Sequence, residues 1–258
     1  MELWILLLLG GILAGILGGL LGIGGGIILM PILRFYVGLS PALAAGTCIM
    51  AVFFTTSGGS FKHFKQGHIN FRSIIPIIIA GAISTIIFSL VFLSFTKKGF
   101  WLDFGIGILF VFVSMRMIIE GILDVLKKSS LDSNEREIRG STSGKVVLGG
   151  FAGIFPGLFG IGTGAILVPA FTYILNAPIK VAIGSSLACF SINAFLSSLI
   201  KLYQGYVNLE VVFPLCLGTL IGANLGARIN KRTPPPLLKI IFGIVFCYIA
   251  FKYIILFL

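Results

Sequence analysis

An all-α integral membrane protein, polytopic and built as two inverted repeats, is the fold this chain predicts. Three observations predict it. Hydrophobic residues make up 57% of the chain and charged residues 10%, with a mean hydropathy of +1.11, so a water-facing surface cannot be assembled. Apolar stretches recur at 3–37, 42–61, 74–95, 100–126, 146–175, 181–202, 211–227 and 237–258, and most have the roughly 20 residues that cross a bilayer as a helix. The chain also repeats itself. Residues 14–31 read AGILGGLLGIGGGIILMP and 152–169 read AGIFPGLFGIGTGAILVP, with 12 of 18 positions identical at a constant offset of 138. The same offset pairs Gly46-Thr47 with Gly184-Ser185, Gln66-Gly67 with Gln204-Gly205, Asn70 with Asn208 and Pro76 with Pro214.

The elements follow in order. The N-terminus carries no basic n-region and Glu2 is acidic, which argues against a cleaved signal peptide. The stretch 3–37 is too long for one ordinary span, and Gly22-Ile23-Gly24-Gly25-Gly26 interrupts it; each glycine weakens a helix by about 1 kcal/mol. The 11 residues after the break, 27–37, reach about 16 Å as a helix and are too short to span. Their counterpart 165–176 is equally short. Each half therefore opens with either one broken span or a helical hairpin that returns to its starting side, and continues with three ordinary spans. The first repeat is assigned to 1–126, a polar Ser-rich linker (KKSSLDSNEREIRGSTSGK) to 127–145, and the second repeat to 146–258.

Charge distinguishes the two options. With hairpins, 13 basic residues fall on one side of the membrane and five (Arg34, Lys97, Lys98, Lys201 and Lys252) on the other. With single broken spans the split is 10 to 8 and gives no orientation. The positive-inside rule favours hairpins. A hairpin plus three spans is an odd number of net crossings, so the halves insert in opposite orientations. Both termini are then extracytoplasmic and the linker cytoplasmic. Two homologous halves of opposite orientation can exchange conformations, which alternating access requires.

Composition also excludes classes. The net charge of +11 raises nucleic acid as a partner, but basic residues accumulate in cytoplasmic loops of membrane proteins, so none is expected. Cys48, Cys189, Cys216 and Cys247 lie in apolar stretches without CxxC spacing and read as small buried hydrophobes. No Walker lysine follows the glycines, and no acidic residue sits about 20 positions beyond them, so neither an ATP motor nor a dinucleotide site is indicated. No nucleophile–base pair or metal cluster is visible. The expectation is a non-enzyme with no cofactor and no metal.

The glycine breaks carry the first candidate site. Helices starting near Ile27 and Ala165 present orphan N–H donors and about half a positive charge at their N-termini, which suit an anionic oxygen. An anion site is expected between Gly24, Gly25, Gly26 and Gly162, Thr163, Gly164, with the Thr163 hydroxyl as an extra donor. The competing reading is that glycine only permits close helix packing. Thr47 and Ser185 occupy equivalent positions, as do Cys48 and Ser186. Ser191, Asn193, Ser197 and Ser198 decorate one span, and Thr55, Thr56 and Ser57 its counterpart. Of these, Thr47, Ser185, Ser186 and Asn193 join the candidate set; the alternative is that they bond backbone carbonyls or join helices. Arg116 and Glu120 are four apart, share a helix face and can pair. That pair is read as an intrahelical ion pair, with proton coupling through Glu120 as the alternative. Asp103 and Asp124 sit near span ends and are expected to reach water. His63 and His68 are expected to be solvated in a basic cytoplasmic loop. Gln66-Gly67 and Gln204-Gly205 read as structural turns, and Arg228, Lys231 and Arg232 before the prolines at 234–236 read as a cytoplasmic anchor.

Taken together, the motifs resemble the TauE/SafE family of sulfite-exporter-like permeases. The resemblance rests on the paired glycine segments (Gly22 to Gly26, Gly160 to Gly164), the prolines that follow (Pro31, Pro169), the stretches 44–48 and 182–186, and the Gln-Gly turns. It covers essentially the whole chain, which departs at Thr163, where the first half has Gly25. The resemblance implies a cytoplasmic-membrane secondary transporter of small anions, sulfite or organosulfonates among them. An anion channel and a carrier of a small carboxylate are the alternatives. The expected partners are a small anionic substrate and the lipid bilayer, with a homo-oligomer as a further option.

Overall fold

The computed structural model describes residues 2–96, 99–127, 138, 140–229 and 235–255. Ten helices and no strand occur among these described residues: α1 (Glu2–Leu21), α2 (Gly26–Pro31), α3 (Pro41–Lys65), α4 (Phe71–Thr96), α5 (Gly99–Lys127), α6 (Thr142–Leu158), α7 (Gly164–Pro169), α8 (Ile179–Tyr203), α9 (Leu209–Ile229) and α10 (Pro235–Ile255). Six of them (α1, α3, α4, α5, α8 and α9) are long and apolar enough to cross a membrane. Most of the linker, Lys97, Lys98, Lys231, Arg232 and Pro234 lie outside the described residues.

Local sequence sets the helix ends. Ser40 caps α3 through a hydrogen bond from the Leu43 amide, with Pro41 in the first turn, a position where its missing N–H costs nothing. Ser141 caps α6 in the same way from Gly144. Pro31 and Pro169 end α2 and α7, because proline cannot donate the next helical hydrogen bond. Each helix continues as one π-helical turn, Ile32–Tyr36 and Ala170–Ile174, closed by Val37 and Leu175 amides bonding the Ile32 and Ala170 carbonyls.

The segment after the first break folds back along α1. A methyl on Gly10 would lie 3.4 Å from Ile32 Cδ1, and one on Gly25 would lie 2.6 Å from the Ala14 carbonyl oxygen. In the second half the ends of the corresponding segment meet, with Gly140 2.6 Å from Leu175 Cδ2 by the same measure.

The halves pack reciprocally. α1 lies along α9, and α6 lies along α4; α3 packs on α8, and α5 on α10. The seams are built from small residues one turn apart, which allow backbone-to-backbone approach. Gly11, Gly15 and Gly19 of α1 face the carbonyls of Leu215, Thr219 and Ala223. Gly149, Gly153 and Gly157 of α6 face those of Ile77, Gly81 and Thr85. Every member of the second set sits at an offset of 138 from its partner in the first. Outward faces such as Ile75, Ile79, Ile83, Ile87 and Leu90 of α4 are exposed and apolar, a surface that lipid solvates and water does not.

Candidate functional site

The first break is shaped by backbone conformation. Gly22, Gly24 and Gly25 have φ of 73°, 80° and 75°, a region that side chains with a Cβ enter only at a cost. The second break differs. Gly160 has φ 67°, but Thr163, the residue before α7, has φ −84°. That right-handed conformation is why a threonine stands where the first half needs Gly25.

The two breaks meet. A methyl on Gly26 would sit 3.1 Å from the Gly162 amide nitrogen, and one on Gly164 would overlap the Gly22 carbonyl and come within 2.6 Å of Ile23 Cα. Phe190 of α8 wedges against both, 2.5 Å from a methyl placed on Gly24 and 2.9 Å from one on Gly162. The N-terminal part of α3 closes the arrangement: Gly160 abuts the Ala45 carbonyl, and Cys48 Sγ donates to the Gly26 carbonyl at 3.5 Å. A small apolar crevice, lined by Leu17, Leu21, Ile28 and Phe246 among others, borders Gly25.

Polar side chains surround this contact unevenly. Thr163 and Ser185 hydroxyls are fully buried without a hydrogen-bond partner among the described residues, a costly condition for a polar group. Ser186 donates to the Gly22 carbonyl at 3.3 Å. Thr47 turns away and accepts from the Asn208 amide at 3.0 Å. Asn193 faces α4, where a methyl on Gly81 would lie 2.7 Å from its Nδ2, and its Oδ1 has no partner among the described residues. The structure thus gathers Gly24, Gly26, Gly162, Thr163, Gly164 and Ser186 at one contact, and leaves Thr47 and Asn193 directed elsewhere.

Several ionisable groups stand otherwise than the sequence suggested. Arg116 and Glu120 form the expected pair, Nε to Oε1 2.6 Å. Asp103 is buried instead of reaching water, and Arg34 binds it through Nε at 3.0 Å and Nη2 at 2.7 Å. This pair ties the π-turn after α2 to α5. A separation of 69 residues hid it from any local pattern. His63 is 1% exposed in the last turn of α3, not solvated in a loop. Its Nδ1 lies 3.2 Å from His68 Nδ1, and its ring faces the Gly19 backbone. Lys201, expected at a membrane surface, is fully buried. Lys145, assigned to the linker, is buried in α6 and donates to the Ile138 carbonyl at 3.2 Å. Cys247 is exposed on α10, unlike the three other cysteines. The repeat offset held an unused signal, since it superposes His63 on Lys201. The turns at Gly67 and Gly205 have φ of 71° and 79°, as the Gln-Gly pairs predict.

Comparison with known proteins agrees with this architecture. Residues 7–253 match the family described as sulfite exporter TauE/SafE. The chain is 26% identical to the "probable membrane transporter protein YunE" of Bacillus subtilis, covering 96% of each chain. It is 28% identical to a "probable membrane transporter protein" of Xylella fastidiosa, over 89% of this chain and 86% of the relative. A further relative of that description, from Methanocaldococcus jannaschii, is 27% identical over 91% and 89% of the two chains. No solved structure matches. A multi-pass helical chain matched along nearly its whole length in this way belongs to the sulfite exporter TauE/SafE family of membrane transporters.

Proposed function

We propose that the protein is a secondary transporter of a small anion, a sulfur oxyanion such as sulfite or an organosulfonate, and works by alternating access. The observation that carries this reading is the direct contact between the two glycine breaks. The breaks lead into the short helices α2 and α7, whose first amides have no acceptor within the helix. Moving the breaks apart would present these donors and the Thr163 hydroxyl to an oxyanion without a permanent charge. Closing them, as here, leaves no room for a ligand. The reciprocal packing of the halves supports an inverted-repeat arrangement, in which two conformations exchange the roles of the halves. In that arrangement both termini are extracytoplasmic and residues 127–145 cytoplasmic. Arg116–Glu120 serves as an ion pair within α5.

The test is counterflow of radiolabelled sulfite into proteoliposomes, with organosulfonates and small carboxylates as competitors. Saturable counterflow, stimulated by trans substrate, is expected. Flux that neither saturates nor responds to trans substrate would make the protein a channel. Competition by carboxylates alone would move the substrate class. Thr163→Val, which keeps side-chain volume, is expected to raise the half-saturating sulfite concentration several-fold; an unchanged value would remove Thr163 from the site.

A further inference from the structure

We propose that Lys201 is a binding station for the anion, and that the anion moves along the seam between α4, α6 and α8 in which Lys201 lies. This extends the transport reading above and depends on it.

Asn193, Ser197 and Lys201 are spaced four apart on α8 and share one face. Lys201 Nζ donates to the carbonyls of Pro156, at 3.5 Å, and Gly157, and to Ser197 Oγ at 3.4 Å. It lies 4.1 Å from the centre of the Phe92 ring. Ser197 donates to the Pro156 carbonyl at 2.7 Å and accepts from Ser89 at 3.4 Å. All the acceptors around Lys201 are neutral, and no carboxylate pairs with it among the described residues. A buried lysine at this depth keeps its proton only against a compensating charge, and carbonyl dipoles at the end of α6 supply only part of one.

Capping α6 explains a cation at its C-terminus but not the rest of the face. Asn193 is 1% exposed with an unpartnered Oδ1. One turn beyond Lys201, Gln204 donates through Nε2 to the Ser89 carbonyl at 3.0 Å, and its Oε1 is buried without a partner among the described residues. The face therefore carries the Ser197 hydroxyl and the Lys201 ammonium as donors between two amides whose unpartnered atoms are oxygens, and it carries no acidic side chain. The ammonium is the element of this line that selects an oxyanion over a cation. The flexible lysine stem lets its three donors leave the carbonyls for a passing ligand.

The test uses both transport and substrate-independent labelling. In proteoliposomes, Lys201→Met is expected to raise the half-saturating sulfite concentration at least tenfold while Lys201→Arg stays within threefold of the parent. Equal losses in both variants would reduce Lys201 to a helix cap and overturn the proposal. In the labelling arm, Ser197→Cys is introduced into a Cys247→Ala parent, whose own labelling is subtracted. An anionic methanethiosulfonate reagent is expected to modify Cys at 197 at least fivefold faster than a cationic one, and the preference should vanish with Lys201→Met. No modification by either reagent, or equal rates with Lys201 present, would overturn the proposal. Because labelling needs no sulfite, its outcome separates a failed station from a wrong substrate.

Discussion

Lys201 stands in the second half where His63 stands in the first. Each is in the last turn of its helix, each is almost fully buried, and each faces backbone at the end of a broken helix, Gly157 in one case and Gly19 in the other. All four positions are related by the same offset of 138. The architecture thus repeats a nitrogenous side chain against the C-terminal ends of α1 and α6, while the chemistry does not repeat. Lysine carries three donors on a flexible stem, whereas histidine is a planar ring already engaged with His68. On the alternating-access reading proposed above, the two ends of the cycle would have unequal affinity for an anion.

The glycine seam makes a sharp prediction about stability. Gly153→Ala would drive a methyl into the Gly81 carbonyl and should cost about 1–3 kcal/mol. Gly150→Ala, on the same helix with nothing within 4 Å, should be neutral or stabilise by up to about 1 kcal/mol. Thermal unfolding of the two variants in detergent compares them directly; equal midpoints would show that α6 does not pack on α4 through this face.

The two breaks should tolerate substitution differently. Gly25→Ala forces a Cβ into the left-handed region, at about 1–2 kcal/mol, whereas Thr163→Ala needs no backbone change at φ −84°. The first variant is expected to unfold at lower temperature than the second. The reverse order would mean that the breaks do not have the conformations described.

Arg34 and Asp103 should be coupled. Neutralising either one leaves a partly buried charge unpaired, so Arg34→Gln and Asp103→Asn should each destabilise more than the double variant. A double-mutant cycle is expected to give a coupling of about 1–3 kcal/mol. A coupling near zero would mean that the π-turn after α2 is not held to α5 by this pair.

The inverted-repeat reading predicts sidedness. Reporter fusions at residues 1, 135 and 258 should place both termini outside and the linker inside. Termini on opposite faces of the membrane would require an even number of crossings in one half and would end the reading.

The sequence made the helices legible because lipid imposes one rule along the whole chain, and glycine clusters break it visibly at Gly22 to Gly26 and Gly160 to Gly164. The contact between those breaks was foreseeable from the duplication. Side-chain pairings between distant helices were not. Arg34 and Asp103 look like unrelated flanking charges until α2 folds back, and Lys201 looks like a surface lysine because a membrane boundary is read from hydropathy, which does not register the neighbouring α6 end. Thr47 illustrates the opposite error: it matches Ser185 in sequence, yet its hydroxyl is taken by the Asn208 amide. Polar residues in apolar helices advertise a need for partners without saying which partner is near.

The reciprocal seams bear on how the chain is made. The carbonyl row that receives Gly11, Gly15 and Gly19 belongs to α9, which leaves the ribosome roughly 200 residues after α1, or about 10–40 s later at ordinary synthesis rates. During that interval α1 must be held by lipid, by α3 or by an insertion factor, with its glycine face unseated. Each half packs its first helix against the other half, so an ancestral single copy would have had to borrow the missing wall from a second molecule, inserted the other way up on the inverted-repeat reading proposed above.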